Sequence, residues 1–128
     1  MSTSITENIV VTVETKFENG NSNPAQDDFL FSYHIKIQNQ GNQAVQLLRR
    51  HWYIFDSSGT FNEVKGEGVI GQQPIILPNQ IHEYESFCKL KTDIGMMWGT
   101  YLMKRVEDNK LFEVKIPEFQ FITPSRLN

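Results

Sequence analysis

The sequence predicts an all-β fold, built as an antiparallel β-sandwich or barrel. Apolar and polar residues alternate with a period of two along most of the chain, which is typical of half-buried strands. Turn-forming residues separate about seven to nine such segments at intervals of roughly 8–12 residues. No segment shows an amphipathic helical pattern for more than about two turns. Together these observations favour packed antiparallel strands over a helical or mixed fold.

The predicted strands differ in how clearly they alternate. The clearest one begins at Phe29, where Tyr33 shares its face and His34 lies on the other. The segment that contains Trp52 is apolar on both faces, as expected of a central strand, and we predict Trp52 as a core anchor. Pro117 interrupts the last extended stretch. The predicted extended segments are 9–16, 29–38, 45–55, 61–65, 74–78, 81–91, 96–106, 111–116 and 119–122.

Length and composition restrict the class of protein. A chain of 128 residues fits one domain, 1–128, with residues 1–7 and 125–128 expected to be flexible ends. The net charge of −3 argues against nucleic acid or an anionic membrane as the main partner, because both need clustered cations. A single cysteine excludes an intrachain disulfide and suits a cytoplasmic location. We expect no signal peptide, and no apolar run approaches the roughly 20 residues that span a bilayer.

The segment Gly66–Gly71 has the G-x-G-x-x-G spacing of dinucleotide-binding folds. That motif binds a pyrophosphate only where a strand precedes it and a helix begins at its end. Here Pro74 and Pro78 flank a β-branched apolar run, so the glycines lie between extended segments. We therefore favour a β-bulge or a tight crossing, and keep an anion-binding nest of backbone N–H groups as the alternative.

The alternative site would combine the glycine segment with the basic residues Arg49 and Arg50, which precede it in the sequence. Adjacent residues of a strand point to opposite faces, so two neighbouring arginines cannot both join one patch. The ligand would be a small phosphate anion, such as pyrophosphate or a nucleotide. The candidate anion-binding residues are Gly66, Gly68, Gly71, Arg49 and Arg50.

No set of residues meets the requirements of a catalytic or metal site, so we predict a non-enzymatic protein without a metal or cofactor. Cys88 lies on the apolar face of its strand, and His82 is roughly 20 Å away along that strand, too far to act as its base. Glu83 and Glu85 share a face with Lys89, which favours a solvated, charge-mixed surface. The histidines form no H-x-H or H-E-x-x-H arrangement.

Several motifs together resemble the bacterial ApaG family over most of the chain, from Ile9 to Pro124. The chain departs from the usual family pattern at Asn79 and Phe87, where glycine is more common. The motifs that carry the resemblance are Arg49-Arg50-His51-Trp52, Asp56…Gly59, Gly66-Glu67-Gly68-Val69-Ile70-Gly71-Gln72-Gln73-Pro74, Leu77-Pro78, Tyr84…Ser86, Gly95-Met96, Gly99-Thr100-Tyr101-Leu102-Met103 and Phe112…Ile116-Pro117…Phe119.

The resemblance implies a fibronectin type III-like or immunoglobulin-like β-sandwich with no established enzymatic activity. It also implies a link to cobalt resistance and magnesium efflux, and a role in protein binding. Two hypotheses about function follow. The first is a cytoplasmic interaction module that binds a protein partner, and the second is pyrophosphate or nucleotide binding by the glycine segment. The sequence leaves open the identity of the partner, the residues that bind it and the oligomeric state.

Overall fold

The strands of the structure follow the alternating segments of the sequence. The computed structural model describes residues 1–127. Within these residues the chain forms nine β-strands and three short 3₁₀ turns, and no helix is long and apolar enough to cross a membrane. The strands are β1 (Ser2–Thr6), β2 (Ile9–Phe17), β3 (Phe29–Asn39), β4 (Val45–Asp56), β5 (Phe61–Glu67), β6 (Ile75–Ile76), β7 (Ile81–Leu90), β8 (Ile94–Arg105) and β9 (Leu111–Ile122). The 3₁₀ turns span Asn19–Asn21, Pro24–Gln26 and Pro124–Leu127.

Two antiparallel sheets pack against each other as a sandwich. The first sheet has the strand order β1-β2-β3-β7. The second has the order β5-β4-β8-β9, with the short β6 paired to β4. Each strand therefore turns one face toward the other sheet, and the alternating apolar residues meet between the sheets. This arrangement confirms the predicted all-β antiparallel sandwich.

Aromatic side chains from both sheets fill the centre of the sandwich. Tyr33 of β3 contacts Trp52 of β4 and Phe119 of β9, with ring centroids 5.6 and 5.8 Å apart. Phe31 and Phe121 form a second contact between the sheets at 5.0 Å. Trp52 is only 3% exposed, which confirms it as a core residue. Such aromatic pairs contribute about 0.5–1.5 kcal/mol each beyond the area they bury, so this cluster is a main link between the sheets.

A bulge in β4 changes which of its residues face the core. The pairing of β4 with β8 shifts between Leu47 and Arg49. Leu47 is buried before the shift and Trp52 after it, so the even-numbered residues face inward from Arg50 onward. The sequence predicts a central strand that is apolar on both faces, and β4 lies between β5 and β8 as predicted, but only one of its faces is in the core. Tyr53 and its neighbours on the outer face lie instead on the solvent side of the sheet, where Tyr53 is half-buried.

The last strand is continuous, although the sequence analysis predicted a break at Pro117. Leu111–Ile122 forms one strand, and its pairing with β8 shifts between Met97 and Gly99. Pro117 lies within this shift, where a bulge removes the need for a ladder N–H. Gly99 is required at the crossing with β4, because a Cβ there would lie 2.0 Å from the His51 carbonyl oxygen.

The amino end of the chain is a strand, whereas residues 1–7 were expected to be a flexible end. β1 pairs with β2 from Ser2 to Thr6. The Ser4 hydroxyl donates to the Lys115 carbonyl oxygen at 2.7 Å, and the Lys115 N–H donates to the Thr6 hydroxyl at 3.1 Å. Short hydroxyl side chains of β1 thus satisfy backbone groups at the edge of β9. Residues 125–127 belong to the last 3₁₀ turn, and Asn128 lies outside the described residues.

Candidate functional site

The first half of the glycine segment is part of the second sheet. Gly66 lies within β5 opposite Arg50. The Gly68 N–H donates to the Leu48 carbonyl oxygen at 2.8 Å, which continues the pairing of β5 with β4. Within residues 1–127 no helix begins at the end of this segment. The segment therefore has the letters of a nucleotide-binding motif without the helix N-terminus that gives the motif its affinity for phosphate.

The second half of the segment is a two-residue turn with a left-handed backbone. Val69 and Gln72 exchange backbone hydrogen bonds of 2.8 and 3.0 Å. Between them, Ile70 and Gly71 have φ angles of 48° and 71°, as in a type I′ turn. Gly68 has a φ of 61°, and a Cβ there would lie 2.1 Å from the Gln72 carbonyl oxygen. Packing of the turn alone therefore requires glycine at position 68.

Arg50 joins this turn to the sheet. Its guanidinium covers Gly66, where a Cβ would come within 2.7 Å of it. The same guanidinium donates to the carbonyl oxygens of Glu67 and Gly68, each at 3.0 Å. The structure thus brings Arg50, Gly66 and Gly68 together. Arg49 is exposed on the other face of the sheet, so it is not part of this group.

Among residues 1–127, the side chains that could support metal chemistry do not converge in groups of three or more. Cys88 is 8% exposed, and burial raises the pKa of its thiol to about 11, so the thiol is protonated at neutral pH. His51 is hydrogen-bonded to Glu63 at 2.5 Å, and Glu83 lies 3.5 Å from Lys36. Within the described part of the chain, no group of three or more His, Cys, Asp or Glu side chains could hold a metal ion.

The half-buried Tyr84 and the fully buried Tyr101 form a polar contact between the sheets. The hydroxyls of Tyr84 and Tyr101 are hydrogen-bonded at 2.5 Å. Burial raises the pKa of both hydroxyls above the ordinary value, and the positive charge of Arg50 offsets only part of this effect. Both tyrosines are therefore neutral at physiological pH and satisfy each other inside the core.

An aromatic surface that the sequence analysis missed lies on the solvent face of the second sheet. Tyr53 of β4 stacks on Trp98 of β8, with ring centroids 5.7 Å apart and ring planes inclined by 16°. Phe61 of β5 lies 6.1 Å from Tyr53 and 6.0 Å from Trp98. His51 stacks on Tyr53 at 4.6 Å. We call these four residues the aromatic platform.

The aromatic platform is open to solvent. Phe61 is 53% exposed, and Phe55 beside it is 40% exposed. A groove of about 460 Å³ runs next to the platform and is lined in part by Tyr53, Trp98 and Lys115. Accessible aromatic rings with charged side chains around them are enriched at protein interfaces. The platform therefore has the composition of a protein-binding surface.

One signal in the sequence could have revealed this surface. His51, Tyr53 and Phe55 alternate with Trp52 and Ile54, so both faces of β4 carry large apolar side chains. In a sandwich of two layers, a strand has one face in the core and the other toward solvent. Aromatic residues on both faces therefore require either a third layer or an exposed aromatic row, and the structure has the second of these.

These features define a class of protein, namely a β-sandwich domain with a closed glycine turn and an exposed aromatic sheet face. A family model described as the ApaG domain (DUF525) matches residues 19–105. Protein ApaG of Anaeromyxobacter dehalogenans (strain 2CP-C) is 47% identical over 128 residues, which is 100% of both chains. Protein ApaG of Paramagnetospirillum magneticum is 43% identical over 119 residues, covering 93% of this chain and 91% of the relative. The chain belongs to the ApaG family.

The fold is also found in a solved structure of similar sequence. The crystal structure of an ApaA-named protein from Bordetella pertussis matches with a TM-score of 0.88 at 39% identity. The match covers 91% of this chain and 94% of that one. This agreement supports the strand order and the sandwich packing described above.

Proposed function

We propose that this chain is a non-enzymatic interaction module that binds a protein partner through the aromatic platform. The observation that carries the proposal is the stacked pair of Tyr53 and Trp98, extended by the half-exposed Phe61, on the solvent face of a sheet. Single exposed apolar residues are common, but a contiguous aromatic cluster is typical of a surface that another molecule covers. Tyr and Trp are also the side chains that most often dominate binding energy at interfaces.

The partner should present an apolar side chain to the centre of the platform and polar groups to its margin. The margin carries both signs of charge, because Lys65 and Glu63 lie 3.9 Å apart at one side and Lys115 lines the groove at the other. Glu63 is already held by His51. A mixed margin of this kind favours specificity for one orientation of the partner over long-range attraction of a strongly charged ligand.

The engagement of the reactive side chains by the fold itself supports a binding role over an enzymatic one. The Cys88 thiol is protonated and buried, and the guanidinium of Arg50 is engaged by backbone carbonyls. Within this proposal the module acts in the cytoplasm. Its role in cobalt resistance and magnesium efflux, implied by the family resemblance, would operate through the partner that the platform binds.

Site-specific photo-cross-linking in the host cell tests the proposal. A photoreactive phenylalanine analogue replaces Phe61 in one variant and Leu111 in another, because Leu111 is similarly exposed, at 57%, but lies at the far end of β9. We expect a specific cross-linked protein from position 61 and none from position 111. With that protein purified, Phe61→Ala should weaken binding by about tenfold or more, whereas Leu111→Ala should leave the affinity unchanged.

Two results would contradict the proposal. One is the same cross-linking pattern from both positions, or none from position 61. The other is a purified partner that binds the Phe61→Ala variant as tightly as the unchanged protein. Circular dichroism and thermal unfolding of each variant show that the fold is retained, so that a loss of binding is attributable to the platform.

A second candidate function is binding of a small phosphate anion at the glycine turn. One observation favours it: the N–H groups of Ile70 and Gly71 donate to no backbone acceptor among residues 1–127. Two successive free N–H groups in a turn form a minimal anion nest. Titration of ¹⁵N-labelled protein with pyrophosphate should give saturable amide shifts confined to these two residues, and the absence of any shift at millimolar pyrophosphate would remove this candidate.

A further inference from the structure

The edge strands at the two sides of the sandwich differ in how well they are covered. On one side β1 lies against β9, and hydroxyls of β1 bond to the backbone of Lys115. On the other side β7 ends the first sheet and β5 ends the second. β7 is ten residues long, contains no proline and pairs with β3 without a bulge, and no other described strand pairs with its outer edge. Proline, bulges, covering elements and charged side chains are the usual protections of an edge strand, and of these β7 has only the charged side chains.

The unpaired backbone groups of β7 belong to its odd-numbered residues. Leu30 of β3 accepts a hydrogen bond from Glu18 at 2.8 Å, on the side of β2. Hydrogen-bonded positions alternate along an antiparallel strand, so Phe31 and the other odd-numbered residues of β3 bond to β7. Phe31 is in register with Cys88, so the even-numbered residues of β7 face β3. The N–H and C=O groups that point outward are those of Glu83, Glu85, Phe87 and Lys89.

The same residues carry a charge pattern that is complementary to itself. Two glutamates precede Phe87, at positions 83 and 85, and two lysines follow it, at positions 89 and 91. If two copies of β7 run antiparallel and meet at Phe87, Glu85 lies opposite Lys89 of the partner subunit. Glu83 then lies opposite Lys91 of the partner subunit. A register centred on Glu85 or on Lys89 would instead place like charges opposite each other, which is destabilising.

We propose that two copies of this chain associate through antiparallel pairing of their β7 edges, about a two-fold axis at Phe87. Two four-stranded sheets would join into one sheet of eight strands. Phe87, now 55% exposed, would be covered by Phe87 of the partner subunit. The central pair and the two pairs of Glu85 with Lys89 each exchange two backbone hydrogen bonds, so the joint contains about six. The interface is isologous, as a two-fold axis requires.

The surrounding contacts are compatible with this joint. The Lys89 ammonium lies 3.4 Å from the Asp28 carboxylate of its own chain. Because the Lys89 side chain is long and exposed, it can also reach a glutamate across the joint. The Lys91 N–H is taken by Asp56, so the backbone ladder ends at Lys89 while the Lys91 side chain stays available. The aromatic platform lies on the solvent face of the other sheet, so its residues are separate from those of the β7 joint.

A charge exchange between two variants tests the proposal. Glu85→Lys places two lysines opposite each other across the joint, and Lys89→Glu places two glutamates there. In analytical ultracentrifugation we expect the unchanged protein to show a concentration-dependent monomer–dimer equilibrium, and each variant to raise the dissociation constant by about tenfold or more. An equimolar mixture of the two variants should recover the dimer, because lysines of one then face glutamates of the other in both halves of the joint.

Two further variants separate self-association from folding. Phe87→Pro removes an N–H that points away from β3, so it should abolish the dimer and leave the monomer folded. Glu14→Lys makes the same charge change on an exposed residue of β2 in the same sheet and should leave the equilibrium unchanged. The proposal is overturned if the unchanged protein is monomeric up to about 1 mM. It is equally overturned if neither charge variant weakens the dimer, or if the mixture of folded variants fails to recover it.

Discussion

At the scale of single residues, Ile70 has a backbone conformation that its own side chain disfavours. Its φ of 48° lies in the left-handed region, which a β-branched residue adopts only at a cost of about 1–3 kcal/mol. Its side chain is 60% exposed, so little burial offsets this cost. The turn keeps its shape because Val69 and Gln72 are bonded around it and Arg50 holds the preceding carbonyls.

Replacing Ile70 with asparagine should therefore stabilise the protein. Asn-Gly is the preferred pair for a type I′ turn, and Gly71 already occupies the second position. We expect Ile70→Asn to raise the free energy of unfolding in urea by about 1 kcal/mol. Ile75→Asn is the matched control, because Ile75 is 53% exposed but lies in the extended β6. An equal gain in both variants, or a loss for Ile70→Asn, would contradict the account of the turn.

Asp56 is a buried carboxylate that joins two turns of the sandwich. It is 5% exposed and accepts hydrogen bonds from the Lys91 N–H at 2.6 Å, the Thr92 hydroxyl at 2.5 Å and the Ser58 N–H at 3.2 Å. Desolvation by itself raises the pKa of Asp56. The hydrogen bonds together lower the pKa by a larger amount, so the net pKa is below the ordinary value. The ionised form is therefore the one that the fold favours.

This pKa shift makes stability depend on pH. A carboxylate whose pKa is lower in the folded state stabilises the fold fully above its unfolded pKa of about 4, and this contribution is lost as pH falls through the folded pKa. Asp56→Asn should lower the free energy of unfolding by about 1–3 kcal/mol at pH 7, and the difference from the unchanged protein should shrink by pH 3. Urea titrations at the two pH values measure both effects.

The control for this prediction is Asp108, whose pKa is lowered chiefly by its hydrogen bond to Arg105 but which is exposed at the surface. Asp108→Asn should change stability far less at pH 7 than Asp56→Asn does. Two results would contradict the account of Asp56 as a link between the two turns. One is an equal loss of unfolding free energy in both variants at pH 7, and the other is a loss in Asp56→Asn that is as large at pH 3 as at pH 7.

At the scale of elements, β1 shows what alternation in the sequence did not reveal. Four of its five residues are serine or threonine, and its stabilising contacts are side-chain hydroxyls bonded to the backbone of β9. Removing residues 1–7 should therefore lower the free energy of unfolding by at least about 2 kcal/mol, because backbone groups of Lys115 lose their partners. Removing residues 125–128 should have little effect. Equal stability of both truncated proteins would show that the contacts of β1 with the edge of β9 do not stabilise the fold.

The strands themselves were predictable to different degrees. β3 and β7 alternate without a bulge, so their faces and their approximate limits follow from the sequence. β4 and β9 each contain a register shift, and a bulge is set by pairing with a distant strand rather than by local pattern. For this reason the sequence alone does not separate the outer aromatic row of β4 from its core face, and it predicts a strand end at Pro117.

The candidate site was predictable only in part, for a related reason. The prolines at 74 and 78 indicated that the glycines have extended neighbours and that no helix follows them, and the structure has β5, which includes Gly66, and then β6 after the turn. Arg49 and Arg50 on opposite faces also followed from alternation. That Arg50 binds the carbonyls of the turn required the register of β4 with β5, which brings residues 50 and 66 together. The aromatic platform draws on three strands and depends on the same pairing.

At the scale of the whole molecule, the sandwich separates three roles in space. Residues between the sheets hold the fold, the outer face of the second sheet carries the aromatic platform, and the β7 edge of the first sheet carries the self-complementary charges. The glycine turn, which is the most conspicuous pattern in the sequence, serves to close one end of β5. The sequence motif and the proposed binding surface therefore lie at different places in this protein.

The measurement that tests the platform most directly uses the two tryptophans of the chain. Trp52 lies in the core and Trp98 in the platform, so fluorotryptophan labelling gives one ¹⁹F resonance for each environment. On addition of the partner identified by cross-linking, we predict a saturable shift or broadening of the Trp98 resonance while that of Trp52 stays in place. A partner that binds and leaves the Trp98 resonance unchanged would contradict the account.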